Sequence, residues 1–196
     1  MEKISIKPGN TFCPQALFLY GTNKEDGTPN FGLFCWFSYC WDSELAVMAC
    51  IGGNKLTKDR IRAERIFSAN MVSESLLPLA DYLGNTEGYT EGKMNIPLEA
   101  ERGRVLNIPV LKNSPWVFEL EVTRELALKG SDVFICRIRN TLAEKELKDP
   151  AISLEKQMEL CAPVIWTSSG NYGEYFSMNK LSIGATTSWK ESFAKQ

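Results

Sequence analysis

Six consecutive residues, Gly52-Gly53-Asn54-Lys55-Leu56-Thr57, are the stretch of this chain whose types and spacing suggest chemistry most directly. Two glycines let backbone N–H groups approach a ligand closely, and Lys55 supplies a positive charge. Thr57 is placed to cap the following helix and to offer a hydroxyl. A helix N-terminus adds unpaired N–H groups and a partial positive charge, so the turn has the parts of an anion site. It reads as the seat of a phosphate belonging to a bound cofactor. The helix after it is basic, with Lys55, Lys58, Arg60, Arg62 and Arg65 against Asp59 and Glu64 over positions 55–66, a local charge of +3. Arg60 and Glu64 are spaced as an i,i+4 pair, and Arg62 and Arg65 read as a solvated face. Lys55 and Thr57, next to the glycines, keep the anion reading.

Other chemistries are excluded by what the chain lacks. It has no histidine, so Ser-His-Asp and Cys-His catalysis and a Cys/His zinc or haem site have no basis. Its six cysteines, Cys13, Cys35, Cys40, Cys50, Cys136 and Cys161, form no C-x-x-C pair. Cys35, Cys50 and Cys136 lie within apolar runs and read as small buried hydrophobes, while Cys40 falls at a strand end, where a redox role stays open. No G-x-G-x-x-G or G-x-x-x-x-G-K-[ST] occurs, which removes the dinucleotide and P-loop readings. No catalytic side chain and no metal site are identified. Either the protein only binds something, or a cofactor carries the chemistry.

The elements that must position this turn follow from the hydropathy pattern. Strands are expected over 12–21, 31–39 and 45–51, with a hairpin loop at 22–30 around Asp26-Gly27. The run 45–51 is nearly all apolar and predicts burial on both faces. A helix from Thr57 to about 66, a strand over 67–72 and a helix from Ser73 or Ser75 to Gly84 come next. Residues 84–99 read as a long loop in which Tyr89 and Lys93 could reach a ligand. Strands follow at 104–111, 116–122 and 133–142, then a short helix at 153–161 and a last strand at 163–167. In the middle strand Trp116, Phe118, Leu120 and Val122 are expected inward, with Glu119, Glu121 and Thr123 outward. Residues 1–11 form an arm, and the tail 168–196, with Tyr172, Tyr175 and Phe176, lacks a core pattern and is expected to wrap this molecule or a partner subunit. Many short strands with few helices describe one mainly β domain over 1–196, a barrel with helical insertions.

Composition fits such a domain: 196 residues, 44% hydrophobic and 23% charged, with a net charge of −2. Nothing in that balance points to nucleic acid or an anionic membrane. The N-terminal residues lack an apolar signal core and no apolar run is long enough to span a bilayer, so a cytoplasmic protein is expected.

The order of strand, Gly27-x-Pro29-Asn30, an aromatic strand with Trp36, an apolar strand, the Lys55-x-Thr57 turn with Asp59 and Ile61, and Phe67-x-x-Asn70 resembles the flavin reductase-like family, in particular its flavoredoxin-type members. A segment Ser182-Ile183-Gly184 also falls where that family closes its chain. The resemblance implies an FMN-binding split β-barrel of Greek-key type, a homodimer with one FMN per subunit. It implies a flavin phosphate held by Asn54, Lys55 and Thr57, a ring along Trp36, Phe37, Ser38 and Tyr39, and Asn30 and Asn70 close by. Because strand side chains alternate, only 36 and 38, or 35, 37 and 39, can face the ring by side chain. The chain departs from its relatives at Leu33 and Phe34, where Thr or Ser is common, and at Asp42-Ser43-Glu44, where Pro-Pro is usual. The function implied is an oxidoreductase passing electrons from NADH, NADPH or another carrier through FMN to a small-molecule or protein acceptor. Two alternatives stand beside it: an FMN-carrying electron-transfer or flavin-storage protein, and a non-enzymatic barrel for an apolar ligand.

Overall fold

A computed structural model describes residues 2–169 and 172–178. Its strands and helices are β1 (Gln15–Ala16), β2 (Phe18–Asn23), β3 (Pro29–Phe34), β4 (Phe37–Trp41), β5 (Leu45–Gly52), α1 (Leu56–Glu64), β6 (Ile66–Met71), α2 (Leu77–Asn85), β7 (Ala100–Arg102), β8 (Pro109–Leu111), β9 (Trp116–Ala127), β10 (Ser131–Ala143), α3 (Leu154–Cys161), β11 (Val164–Ser169) and β12 (Tyr172–Ser177). Seven antiparallel strands form one sheet in the order β3-β2-β6-β9-β10-β5-β4. The two edge strands of that sheet, β3 and β4, are separated in sequence only by Cys35 and Trp36. A two-residue link reaches no more than about 10 Å, so the sheet must curl until its edges meet at that end. The protein is therefore a mainly β split barrel.

This closure corrects the expectation of one strand over 31–39. The chain bends at Cys35, where the Phe37 N–H bonds back to the Cys35 carbonyl at 3.0 Å. The Trp36 carbonyl then accepts from the Cys50 N–H at 2.9 Å, which transfers the chain from one edge to the other. Inside the barrel Phe18, Tyr20, Val47, Ala49, Ile51, Ile61, Phe67, Phe118, Leu120 and Phe134 pack together, with Phe37 against them. The apolar strand β5 is not buried on both faces: Val47, Ala49 and Ile51 point inward, while Leu45 and Met48 are exposed.

A second layer lies outside β2 and β3, where Ala80 and Leu83 of α2, with Leu76 just before it, pack on Leu17, Leu19, Phe31 and Val72. α2 starts from a single 3-10 turn, Glu74–Leu76, and carries Pro78 in its first turn, where a missing N–H costs nothing. The α3 boundaries agree with expectation, and Ser153 caps it by accepting the Lys156 N–H at 3.1 Å. β1, β11 and β12 make a small sheet over this layer, in which Trp166 and Tyr175 pack on the second cluster. Within the tail, Tyr175 thus packs on the core; Ser182-Ile183-Gly184 and the rest of 179–196 lie outside the described residues.

Two further expectations change. The stretch 104–111 is a strand only at Pro109–Leu111, paired with β7 in a hairpin. Its loop is held by Glu119, which is fully buried rather than outward. The Glu119 carboxylate accepts the N–H groups of Arg104 (2.9 Å), Val105 (2.9 Å) and Leu106 (2.6 Å) and the Asn140 side chain (2.8 Å). Burial alone would raise the Glu119 pKa, but these four donors outweigh it and hold the group ionised below the usual range. Among the described residues no helix is long and apolar enough to cross a membrane.

Candidate functional site

The turn after β5 delivers helix α1 to the open edge of the barrel. Gly53 takes the left-handed conformation, φ 65°, that allows the chain to reverse there. Lys55 precedes the helix in extended geometry, and no side chain caps the first turn. Thr57 therefore does not act as the cap. It is buried at 3% exposure, and its Oγ1 accepts from Asn30 Nδ2 at 3.0 Å. Asn30 Nδ2 also reaches Thr22 Oγ1 at 3.2 Å, while the buried Asn30 Oδ1 has no partner. Residue 32 is glycine for a steric reason, since a Cβ there would stand 2.9 Å from Thr57 Oγ1.

Thr57 and Lys55 line a small cavity of about 30 Å³, with Gly32, Leu33, Phe34, Leu83, Gly84, Glu87 and Lys93 among its other walls. Lys93 comes from the long loop after α2 and is 4% exposed. It makes no ion pair among the described residues, and burial pulls its pKa from 10.5 to about 8. Lys55 by contrast pairs with Glu87, its Nζ lying 2.9 Å and 3.1 Å from the two carboxylate oxygens. Two cations, one exposed carboxylate, a buried hydroxyl and a helix N-terminus thus converge on one space.

The remaining charges of α1 are balanced. Lys58 Nζ is 2.9 Å from Asp132 in a pair that is almost buried. Arg60 bonds the Asn23 carbonyl at 2.8 Å and pairs with Glu64 at 2.6 Å, the expected i,i+4 contact. Arg62 reaches Glu125 at 2.6 Å and Asp132 at 3.1 Å, and Arg65 reaches Glu125 at 3.4 Å.

Past Leu33, Phe34 and Gly84 the small cavity adjoins a wider apolar one of about 180 Å³, lined also by Leu17, Cys35, Asn85, Trp166 and Tyr175. The Tyr175 hydroxyl donates to Asp81 at 2.7 Å, and burial with that bond pushes its pKa up to about 12. Among the residues expected along a flavin ring, Trp36 and Ser38 are exposed on the outer side of the barrel. Phe37 turns inward, its ring 4.3 Å from Phe18, so its side chain belongs to the core. Tyr39 is exposed, its ring edge-on to Phe118. Asn54 is exposed at the turn. Asn70 is fully buried and its amide is used up: Nδ2 donates to the Leu19 carbonyl and Ser68 Oγ, both at 2.8 Å, and Oδ1 accepts the Leu111 N–H at 2.8 Å. It ties β6 to β2 and β8, and both of its amide protons are spent within the fold.

Glu87, Trp166 and Tyr175 had no place in the expected site, and Cys35 entered it only as one member of an alternating set. No period in the sequence signals them, because a loop fold-back and a strand bend bring them there.

With this geometry in place, the flavin reductase like domain model matches residues 11–172, most of the chain. The chain belongs to the flavin reductase-like family. Its fold is that of flavoredoxin from Methanosarcina acetivorans, at a TM-score of 0.83 and 19% identity over 98% of this chain and 100% of that one. Flavoredoxin of Desulfovibrio vulgaris (Miyazaki F) gives 0.83 and 21% over 96% and 100%. An FMN-binding protein from Thermus thermophilus, solved with bound p-hydroxybenzaldehyde, gives 0.74 and 17% over 94% and 98%. No curated protein matches the chain significantly in sequence.

Proposed function

We propose that this family member binds FMN and acts as an oxidoreductase, passing electrons from NADH, NADPH or another carrier to a small-molecule or protein acceptor. The observation that carries the reading is Lys93: a cation 4% exposed, without a carboxylate of its own, facing Thr57 and Lys55 across a cavity. A buried charge is costly unless something compensates it, and a phosphate group would. Thr57 suits the same ligand. Its oxygen already accepts from Asn30, so its own proton is free to point into the cavity. The orphaned Asn30 Oδ1 behind it marks a polar network built for one more partner. The largely apolar space beside Leu33, Cys35 and Trp166 suits one face of a flat ring. The bound flavin supplies the redox chemistry, which suits a chain without histidine.

A homodimer belongs to the same proposal. The outer face of β4, β5, β10 and β9 shows Trp36, Met48 and Leu126 to solvent, and Met48 is in register with Ser38 and Ile135. Such a face is suited to a second copy.

The test is the visible spectrum of the protein purified without added cofactor, then after FMN loading and desalting, followed by NADH and NADPH oxidation with several acceptors. Retained FMN with nicotinamide consumption is the expected result. Retained FMN without consumption would leave an electron-transfer or storage protein, and failure to retain FMN would contradict the reading.

A further inference from the structure

We propose that Glu87 is a charge latch on the phosphate seat. Its carboxylate takes the place beside Lys55 that a phosphate would take, so an incoming phosphate must compete with it for that lysine. This rests on the phosphate reading of the same cavity. At about 30 Å³ the cavity has room for water but is small for a phosphate group, so entry requires a wall to move. Glu87 is the wall best placed to do so. Its side chain is 62% exposed, and the Lys55 hydrogen bond with the accompanying charge attraction holds it ionised. An exposed ion pair of this kind contributes little to stability and gives way easily.

The surrounding loop is fixed, which confines the movement to that side chain. Tyr89 donates to Asp59 on α1. Gly88 lies so close to the helix that a Cβ would stand 2.7 Å from Leu56 Cβ. Further on, the Tyr82 hydroxyl bonds the Lys93 carbonyl at 3.2 Å, and the Lys93 N–H bonds the Thr90 carbonyl at 3.2 Å. The backbone at Lys93 is therefore held while the Glu87 carboxylate rotates into solvent and releases Lys55 Nζ to the phosphate. Charge counting gives the sense of the competition. Two lysines and one carboxylate leave the closed seat at +1, and an incoming phosphate monoester dianion meets Glu87 as a like charge until the latch opens. A neutral ligand such as riboflavin gains nothing from opening it.

The experiment is titration of FMN and riboflavin into apoprotein, wild type and Glu87→Gln, by flavin fluorescence at low salt and at 0.5 M salt, with an unfolding curve for each protein. Glu87→Gln is expected to tighten FMN roughly fivefold at low salt, to lose that gain at high salt, and to leave riboflavin and the unfolding midpoint unchanged. If wild type prefers FMN over riboflavin but the variant binds FMN equally or more weakly, or tightens both flavins alike, the latch is wrong and the seat stands. If wild type binds the two flavins equally, the phosphate seat itself is wrong, and the latch with it.

Discussion

The two flanks of helix α1 use the same residue types for opposite ends. Along its body, Lys58, Arg60, Arg62 and Arg65 meet Asp132, Glu64 and Glu125, so each cation has a carboxylate within 3.4 Å or less. At its N-terminal edge Lys55 and Lys93 share a single exposed Glu87, and Lys93 has no ion pair of its own among the described residues. On the proposed function, the difference separates cations that complete a fold from cations that hold a ligand phosphate. Neither residue type nor burial makes the distinction: Lys58 and Lys93 are both buried, at 8% and 4% exposure. Charge balance does.

The strongest way to break this comparison is Lys58→Met. It leaves the nearly buried Asp132 with Arg62 alone and is expected to cost about 3 kcal/mol of stability while FMN affinity holds. Urea unfolding and an FMN titration on the same preparation read both quantities; a stable variant with weakened FMN would reverse the assignment of the two flanks. Lys93→Met is the mirror experiment. It is expected to weaken FMN by about 2 kcal/mol, near 30-fold, through loss of a charge-assisted contact. Removing an uncompensated buried charge should leave the unfolding midpoint the same or higher.

The pH dependence of FMN binding sharpens the contrast further. Burial holds Lys93 near 8 in the folded protein against 10.5 for a free lysine. A depressed folded pKa means that this group's contribution to apoprotein stability is full above 10.5 and is lost as pH falls through about 8. FMN binding runs the other way, because the charged lysine is the one that holds phosphate. Affinity should fall as pH rises past about 8, and Lys93→Met should flatten the curve. The smallest effect is expected at Glu64→Gln, which removes an exposed i,i+4 partner and should shift stability by less than about 0.5 kcal/mol, with no change in FMN.

The sequence makes the turn and helix after β5 legible because their signals are local. Gly53, Lys55 and Thr57 lie within one turn, and the Arg60–Glu64 pair follows from helical spacing alone. Most of the strand pattern and the short helix at 153–161 were legible for the same reason. What escaped depends on distant partners. Glu119 reads as an outward residue in an alternating strand until the loop at 104–106 supplies three N–H donors. Asn70 reads as a ligand contact until three strands converge on its amide. The bend at Cys35 and Trp36 comes from barrel closure, which hydropathy does not encode, and it turns Phe37 into the core.

The most direct test of the phosphate seat is the ratio of riboflavin to FMN dissociation constants for wild type and Lys93→Met at pH 7. The two flavins differ only in the phosphate, so the ring's contribution cancels in the ratio. The account predicts FMN preferred by at least about tenfold in wild type, with most of that preference lost in the variant. Equal binding of the two flavins by wild type, or a preference that survives the loss of Lys93 intact, would contradict it.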